Sequence, residues 1–177
     1  MTTDHSTKVL RRTLGVAVAL LLLATAPAGA AAPTRARGAG ELRDLQPATS
    51  QPTDHATAQV VATESGGSTT VSLKVQGLGH DATGQVFGAH VHVGACEAGN
   101  GAAAGPHYNS TGGSTVSEET EVWLDITVAH NGTARSTATV PFVIPTGGSG
   151  SVVIHALHTD SDTGAAGARW ACLPVQF

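Results

Sequence analysis

Four histidines in the second half of the 177-residue chain have the spacing that metal binding requires. His90 and His92 stand two residues apart in an apolar run, so on a strand both imidazoles project from the same face. His107 follows in a loop rich in Gly and Ala, and His155 lies in a second β-like run. Neutral imidazoles without thiolates suit copper or zinc, and the Irving–Williams order favours Cu(II) at equal access. The alternative for the His90 and His92 pair, taken alone, is a strand with a polar face.

The elements that must position these histidines are short β-strands. From residue 56 onward, short β-like runs alternate with clusters of Gly, Ser, Thr and Asn, at the spacing of a sandwich or barrel. Val71, Leu73 and Val75 alternate with polar residues, which places one face in the core and the other in water. The predicted strands cover residues 59–63, 71–75, 85–93, 121–130, 135–144, 151–157 and 169–175.

Composition supports an all-β fold and excludes nucleic acid as a partner. Charged residues make up only 12% of the chain and Gly occupies 22 positions, so helix formers are scarce and turn formers are abundant. Aromatic residues make up 3% and the formal net charge is -4, which leaves neither the stacking platforms nor the basic surface that nucleic-acid binding needs.

The N-terminal part of the chain is predicted to lie outside the folded domain. Three basic residues precede an uncharged apolar run over 14–26, and Ala-Gly-Ala at 28–30 is acceptable to a signal peptidase. We therefore predict a signal peptide over residues 1–30, cleaved near Ala30, and a secreted, extracellular or cell-envelope protein without stable membrane insertion after cleavage. Residues 31–55 lack a sustained apolar period and are predicted to form a disordered linker ahead of a domain at 56–177.

The two cysteines of the chain, Cys96 and Cys172, predict one disulfide. An exported protein matures in an oxidising compartment, and an even count leaves no free thiol. The bridge would tie the loop after one strand to the C-terminal strand. In the chain-entropy model, a disulfide that closes a loop of several tens of residues stabilises the fold by about 4 kcal/mol. Two buried free thiols are the alternative.

Two separated segments resemble the metal-binding motifs of the copper/zinc superoxide dismutases. The first comprises GAHVH at 88–92, Cys96 and AAGPHYN at 103–109; the second comprises VVIH at 152–155 and GAAGARWAC at 164–172. The resemblance extends over about residues 57–177 and includes both cysteines of the family's disulfide. It implies an all-β Greek-key barrel or sandwich of about eight antiparallel strands with long metal-site loops.

The resemblance also implies a role for each residue of the motifs. His90, His92 and His155 match copper ligands of the family. His107 matches the imidazole that bridges copper and zinc there and that carries a proton during turnover. Arg169 matches the arginine that guides and holds the superoxide anion, and taken alone it would be read as a surface residue.

The loop that follows His107 departs from the family pattern. Residues 108–128 contain no histidine, whereas the family closes a zinc site there with two histidines and an aspartate. We therefore expect copper without zinc, as in the zinc-free, copper-only members of the family. Those members use a carboxylate to hydrogen-bond the histidine that would otherwise bridge, and Glu119 or Glu121 is the candidate here. The alternative for these acidic residues is a solvated loop.

The segment between His155 and Arg169 is also unusual, because typical members of the family have a clearly longer loop there. We expect the short segment to leave the metal open to solvent. His158, within this segment, is interpreted as a polar residue at the end of a strand, with a spare metal ligand as the alternative.

The function that the sequence predicts is copper-dependent disproportionation of superoxide to oxygen and hydrogen peroxide outside the cytoplasm. The alternative is a non-catalytic, exported copper-binding or copper-buffering protein on a degenerate dismutase fold. Arg169 favours catalysis, because a buffer has no need of an arginine that guides an anion. A purely structural β-sandwich would explain neither motif. The sequence indicates no particular oligomeric state.

Overall fold

The computed structural model of the protein describes residues 1–3, 34–113 and 115–177. The predicted signal peptide, apart from its first three residues, lies outside the described residues. The described part of the chain contains ten β-strands and two short 3-10 helices. The strands are β1 (Thr34–Glu41), β2 (Arg43–Asp44), β3 (Thr57–Ser65), β4 (Ser68–Gln76), β5 (Val86–Phe87), β6 (Ala89–His92), β7 (Ile126–Thr127), β8 (Thr133–Val140), β9 (Ser151–His155) and β10 (Arg169–Pro174).

The strands form two four-stranded antiparallel sheets and one two-stranded sheet. The strand order is β1-β3-β4-β8 in the first sheet and β2-β10-β9-β6 in the second, and β5 pairs with β7. Strands β3 and β4 are joined by Gly66 and Gly67, which both have the positive φ that glycine adopts without strain. The all-β prediction is confirmed, with ten strands in place of about eight.

The core lies on the inward faces of the two large sheets. Along β4, buried and partly exposed residues alternate, and Val71, Leu73 and Val75 are buried as predicted. The second sheet contributes Val91, Ile154 and other aliphatic side chains to the same cluster. Burying each such side chain contributes about 1.5–3 kcal/mol. This aliphatic core fixes the strands of the second sheet, including β6, which also carries His90 and His92.

Residues 34–44 form β1 and β2, so the prediction of a disordered linker over 31–55 is wrong there. Strand β1 pairs with β3 from Glu41 opposite Thr57 through Ala36 opposite Ala62. Ala36 is buried, and a Cβ placed on Gly38 would lie 2.6 Å from the Pro174 carbonyl oxygen. Small residues face inward along β1 because the backbones approach closely there. Alanine and glycine give almost no apolar periodicity, so the sequence pattern did not predict β1.

Two of the predicted strands are interrupted in the structure. The run over 85–93 is divided at Gly88, whose N–H donates to the Leu157 carbonyl oxygen at 2.7 Å instead of continuing a ladder. The run over 121–130 contributes only β7 as a regular strand, and its first residues pair through isolated bridges. Both interruptions lie beside His90, because Gly88 precedes it by two residues and Trp123 pairs with it through one of the isolated bridges.

The predicted disulfide between Cys96 and Cys172 is confirmed. It joins the loop after β6 to β10, 76 positions further along the sequence. Both cysteines are buried in a small second cluster that also contains Leu45, Ala104 and Val153. The bridge therefore fixes the loop after the His90 and His92 strand onto the strand that begins with Arg169.

Among the described residues, no helix has the length and apolar character needed to cross a membrane.

Gly38→Ala should destabilise the protein by about 1–3 kcal/mol, because the added Cβ would overlap the Pro174 carbonyl and force β1 away from β10. The urea midpoint of unfolding measures the effect. Ala39→Val is the matched control, because it enlarges the exposed neighbouring residue on the same strand. Equal midpoints for the two variants would contradict the packing of β1 against β10.

Candidate metal centre

Two paired strands and one crossing loop bring the four predicted histidines together. His90 and His92 lie on β6, His155 ends the neighbouring β9, and the backbone of His107 bridges to His92. Ligand-capable atoms of the four residues all lie within 4.8 Å of one another. His90, His92 and His155 are buried, and the His107 side chain is 19% exposed. The site therefore has three enclosed imidazoles and one at its outer edge.

Each imidazole has one ring nitrogen held by an oxygen outside the cluster. His92 Nδ1 donates to the Gly105 carbonyl at 3.0 Å, and His155 Nδ1 donates to the Gly167 carbonyl at 3.3 Å. A carbonyl oxygen can only accept, so these contacts place the hydrogen of each neutral ring on Nδ1. In both residues Nε2 is left as a bare lone pair, the form in which imidazole binds a metal.

His90 is held by a two-step relay. Its Nε2–H donates to Thr159 Oγ1 at 2.7 Å, and the Thr159 hydroxyl donates to Asp125 Oδ1 at 2.6 Å. The Thr159 backbone N–H donates to Asp125 Oδ2 at 3.0 Å, which fixes the threonine in place. His90 Nδ1 is buried and has no hydrogen-bond partner. Such an orphaned acceptor is costly unless a ligand binds it.

The inward nitrogens of His92 and His155 provide a test of whether this site fits a metal. Their Nε2 atoms lie 3.3 Å apart, and in the tautomers described above neither atom carries a hydrogen. Two lone pairs facing each other at that distance repel, whereas a cation bound by both is attracted to both. Together with the orphaned nitrogen of His90, this arrangement fits a metal that prefers neutral nitrogen ligands, such as copper or zinc.

Burial keeps the clustered imidazoles neutral. Desolvation, together with the neighbouring His107 and His155, holds the pKa of His90 far below its ordinary value. Burial lowers the pKa of His92 to about 3, and burial lowers that of His155 to about 4. The Arg169 charge pushes both of these pKa values in the same direction. Protons therefore do not compete with a metal for these nitrogens near neutral pH.

A carboxylate holds the outer imidazole. His107 Nδ1 donates to Glu121 Oε2 at 2.8 Å, and the Trp123 indole N–H donates to the same oxygen at 2.9 Å. Burial alone raises the pKa of Glu121, but the hydrogen bonds from His107 and Trp123 outweigh it and the pKa lies below its usual value. Glu121 is therefore an ionised carboxylate, and Nε2 is the nitrogen of His107 that is left free for a metal.

Arg169 lies at the edge of the cluster, opposite His155 in the β9–β10 pairing. Its Nη1 donates to the Gly101 carbonyl oxygen at 2.7 Å. Arg169, His107, His155 and Glu121 line one open cleft of about 650 Å³. The cleft gives a small anion a route from solvent to the histidine cluster, with a permanent positive charge beside it.

The structure separates the other predicted residues from the cluster. Glu119 is exposed and lines a different groove, so Glu121 is the carboxylate that contacts His107. His158 is exposed, and its Nε2 lies 3.5 Å from Asp125 Oδ2. His130, a histidine that was not a predicted site residue, is exposed in a turn. Across the described residues, the four-histidine cluster is the one place where three or more His, Cys, Asp or Glu side chains lie close enough to share a metal.

Sequence reasoning missed six residues that serve this site: Asp125, Thr159, Trp123 and the carbonyl groups of Gly101, Gly105 and Gly167. Asp125 and Thr159 are separated by 34 positions, and nothing in their spacing links them to each other or to His90. The hydrogen bond from Trp123 had one signal, since residues two apart on a strand face the same side and Glu121 was already a candidate.

The chain belongs to the copper/zinc superoxide dismutase family, whose model matches residues 55–173. The matched range covers both strands of the histidine cluster, the cysteine pair and the start of β10. Members of this family bind copper and act on superoxide, and the β-sheets, the disulfide and the histidine cluster agree with that membership. The chain matches no curated protein.

Acid should destabilise the metal-free protein. The folded state keeps His92 and His155 neutral, whereas the unfolded chain protonates near the ordinary pKa of 6.5, so the unfolded state binds more protons below that pH. The free energy of unfolding should fall as the pH drops through 6.5, down to about 4 for His155 and about 3 for His92. The expected slope is up to about 1.4 kcal/mol per pH unit for each histidine.

Urea unfolding of the metal-free protein between about pH 7 and pH 5 measures this slope. His155→Gln should flatten it, and His130→Gln, which changes an exposed turn residue, should leave it as in the wild type. A wild-type midpoint that does not move over this range would show that the cluster does not hold its histidines neutral.

Proposed function

We propose that the protein is a copper-dependent, zinc-free superoxide dismutase that works outside the cytoplasm. The observation that carries the proposal is the convergence of four metal-binding imidazole nitrogens beside Arg169, in a cleft open to solvent. Membership of the copper/zinc superoxide dismutase family supports the same activity. A non-catalytic copper buffer would also use the four histidines, but it would not need an anion-binding arginine such as Arg169.

Copper is the metal that the donor set favours. His90 Nδ1 and the Nε2 atoms of His92, His107 and His155 would hold it, and nitrogen donors of this kind favour Cu(II) over Zn(II). Bound copper supplies one-electron redox chemistry, in which one superoxide is oxidised to oxygen and a second, with two protons, is reduced to hydrogen peroxide. A bridging zinc would need His107 Nδ1, but this nitrogen already donates to Glu121. The hydrogen bond therefore supports a site with a carboxylate where zinc-containing members have zinc.

Arg169 binds and orients the anion in this proposal. Its guanidinium stays charged at neutral pH, so it attracts superoxide without titrating. The Gly101 carbonyl accepts from Nη1 and thereby sets the direction of the fork, which leaves other N–H groups of the same guanidinium for the substrate. The formal charge of the chain is -4, so the attraction has to come from this local positive site.

His107 and Glu121 handle the proton. His107 Nε2 has one lone pair and can hold either a metal or a proton; when it holds a proton the ring is an imidazolium, and the Glu121 carboxylate at 2.8 Å from Nδ1 stabilises that charge. His107 is also the least enclosed of the four imidazoles, so its Nε2 proton is the one that solvent and product can reach. His107 therefore stores a proton beside the anion site and releases it to the reduced product.

The domain organisation and location form part of the proposal. We propose that residues 1–30 are a signal peptide and that the exported domain begins with β1 instead of residue 56. The Cys96–Cys172 disulfide supports an oxidising compartment.

Purified protein should retain about one copper and no zinc per chain after dialysis against a mild chelator, because the described residues provide one cluster of ligands. Elemental analysis of protein offered both metals measures this ratio. His155→Ala should lower copper retention, and His130→Ala, an exposed histidine, is the control. Zinc retained in equal amount to copper would contradict a zinc-free enzyme.

Arg169→Ala should lower superoxide turnover by about 10-fold to 100-fold while copper stays bound, since a charge-assisted contact to an anion contributes about 1.5–3 kcal/mol. Arg135→Ala removes an exposed arginine from the other sheet and should leave turnover unchanged. Rising ionic strength should slow the wild type more than Arg169→Ala, because salt screens the attraction. Full turnover in Arg169→Ala would contradict the role of the arginine, and a copper-loaded wild type without turnover would contradict catalysis and favour the buffering function.

A further inference from the structure

Residues 43–45, which we call the N-terminal strap, lie along the strand that begins with Arg169. Arg43 pairs with Cys172 and Asp44 with Ala171 as β2 adds to the edge of β10. The Leu45 N–H then donates to the Trp170 carbonyl oxygen at 2.8 Å. The strap therefore runs antiparallel to β10 and stays in register with it to within one residue of Arg169.

The strap also contacts the disulfide loop, residues 96–104. The Arg43 Nη1 donates to the Cys96 carbonyl oxygen at 2.6 Å, and the Gly99 N–H donates to the Asp44 carbonyl oxygen at 2.8 Å. Leu45 is buried in one small cluster with both cysteines. The disulfide fixes the loop at its first residue, and the strap adds contacts at that residue and at its middle.

The middle of this loop is the part that holds Arg169. The Gly101 carbonyl oxygen accepts from Arg169 Nη1. A Cβ placed on Gly101 would lie 3.5 Å from Arg169 Cβ and 3.8 Å from Leu45 Cβ, so Gly101 is packed between the strap and the arginine. A contiguous set of contacts therefore runs from the strap through the disulfide loop to Arg169.

We propose that the N-terminal strap positions Arg169, with Arg43 acting through the disulfide loop. Arg43 holds the Cys96 carbonyl, the strap backbone holds Gly99, and the loop so fixed presents the Gly101 carbonyl to the Arg169 guanidinium. Loss of Arg43 loosens the loop, and Arg169 then loses the acceptor that directs its remaining N–H groups into the cleft. This inference rests on the proposed function only in taking Arg169 as the residue that binds the anion.

The first test is amide hydrogen exchange of the metal-free, full-length protein. In Arg43→Ala the Gly99 N–H should exchange about 5-fold to 10-fold faster, the factor that one ordinary hydrogen bond sustains. Arg135→Ala removes the same charge from an exposed strand of the other sheet and should leave Gly99 exchange unchanged. Unchanged exchange in Arg43→Ala would overturn the proposal, and this readout does not depend on any catalytic activity.

The second test uses azide as an anion probe on the copper-loaded protein, with affinity read from the copper absorption band. Arg43→Ala should weaken azide binding by about 5-fold, a loss typical of one hydrogen bond, and Arg135→Ala should not change it. In an Arg169→Ala background, Arg43→Ala should have no further effect, because a positioning residue cannot act when its target is missing.

Two results of the azide measurement would overturn the proposal. An unchanged azide affinity in Arg43→Ala would show that the strap does not reach Arg169. An equal loss in the presence and absence of Arg169 would show that Arg43 attracts the anion through its own charge. If the wild type lacks superoxide turnover but Arg43→Ala still shows the exchange and azide effects, the proposed enzymatic function is refuted. The proposed positioning of Arg169 by the strap then still holds.

Discussion

The metal site depends on one constraint: each of four neighbouring imidazoles must carry its hydrogen on the outward nitrogen. Gly105, Gly167, Thr159 and Glu121 each provide an oxygen that accepts this hydrogen. If one acceptor were lost, that ring could turn its hydrogen into the cluster, and the inward lone pair that binds metal would be gone. The hydrogen bonds around the site therefore determine its chemistry as much as the histidines do.

The surrounding fold supplies these acceptors from different kinds of structure. Gly105 and Gly167 belong to irregular loops, whose backbone carbonyls are not engaged in a ladder and can face inward. Collecting buried lone pairs in one place is unfavourable without a cation, so the rest of the fold must hold the arrangement. The paired strands β6 and β9 and the Cys96–Cys172 bridge provide that support.

The parts of the site that could be predicted were those encoded by short-range patterns. His90 and His92 follow the two-residue period of a strand, and two cysteines in a chain predicted to be exported leave one pairing. Other parts depend on the tertiary structure. Thr159 and Asp125 meet only because the segments after β9 and before β7 approach each other, and the choice of Glu121 over Glu119 depends on the bridge to Asn109. The first two strands escaped prediction because closely packed backbones select alanine and glycine, which have no apolar period.

The position of β1 and β2 has a consequence for how the chain folds. Leu42 alone separates the two strands, yet β1 belongs to one large sheet and β2 to the other. The second sheet places β2 beside β10, so β2 can pair only once the last strand is available, whereas β1 pairs with the nearby β3. Contacts between distant parts of a chain form slowly because a long loop must close first. During synthesis, therefore, the second sheet cannot gain its edge strand β2 until β10 has also been made.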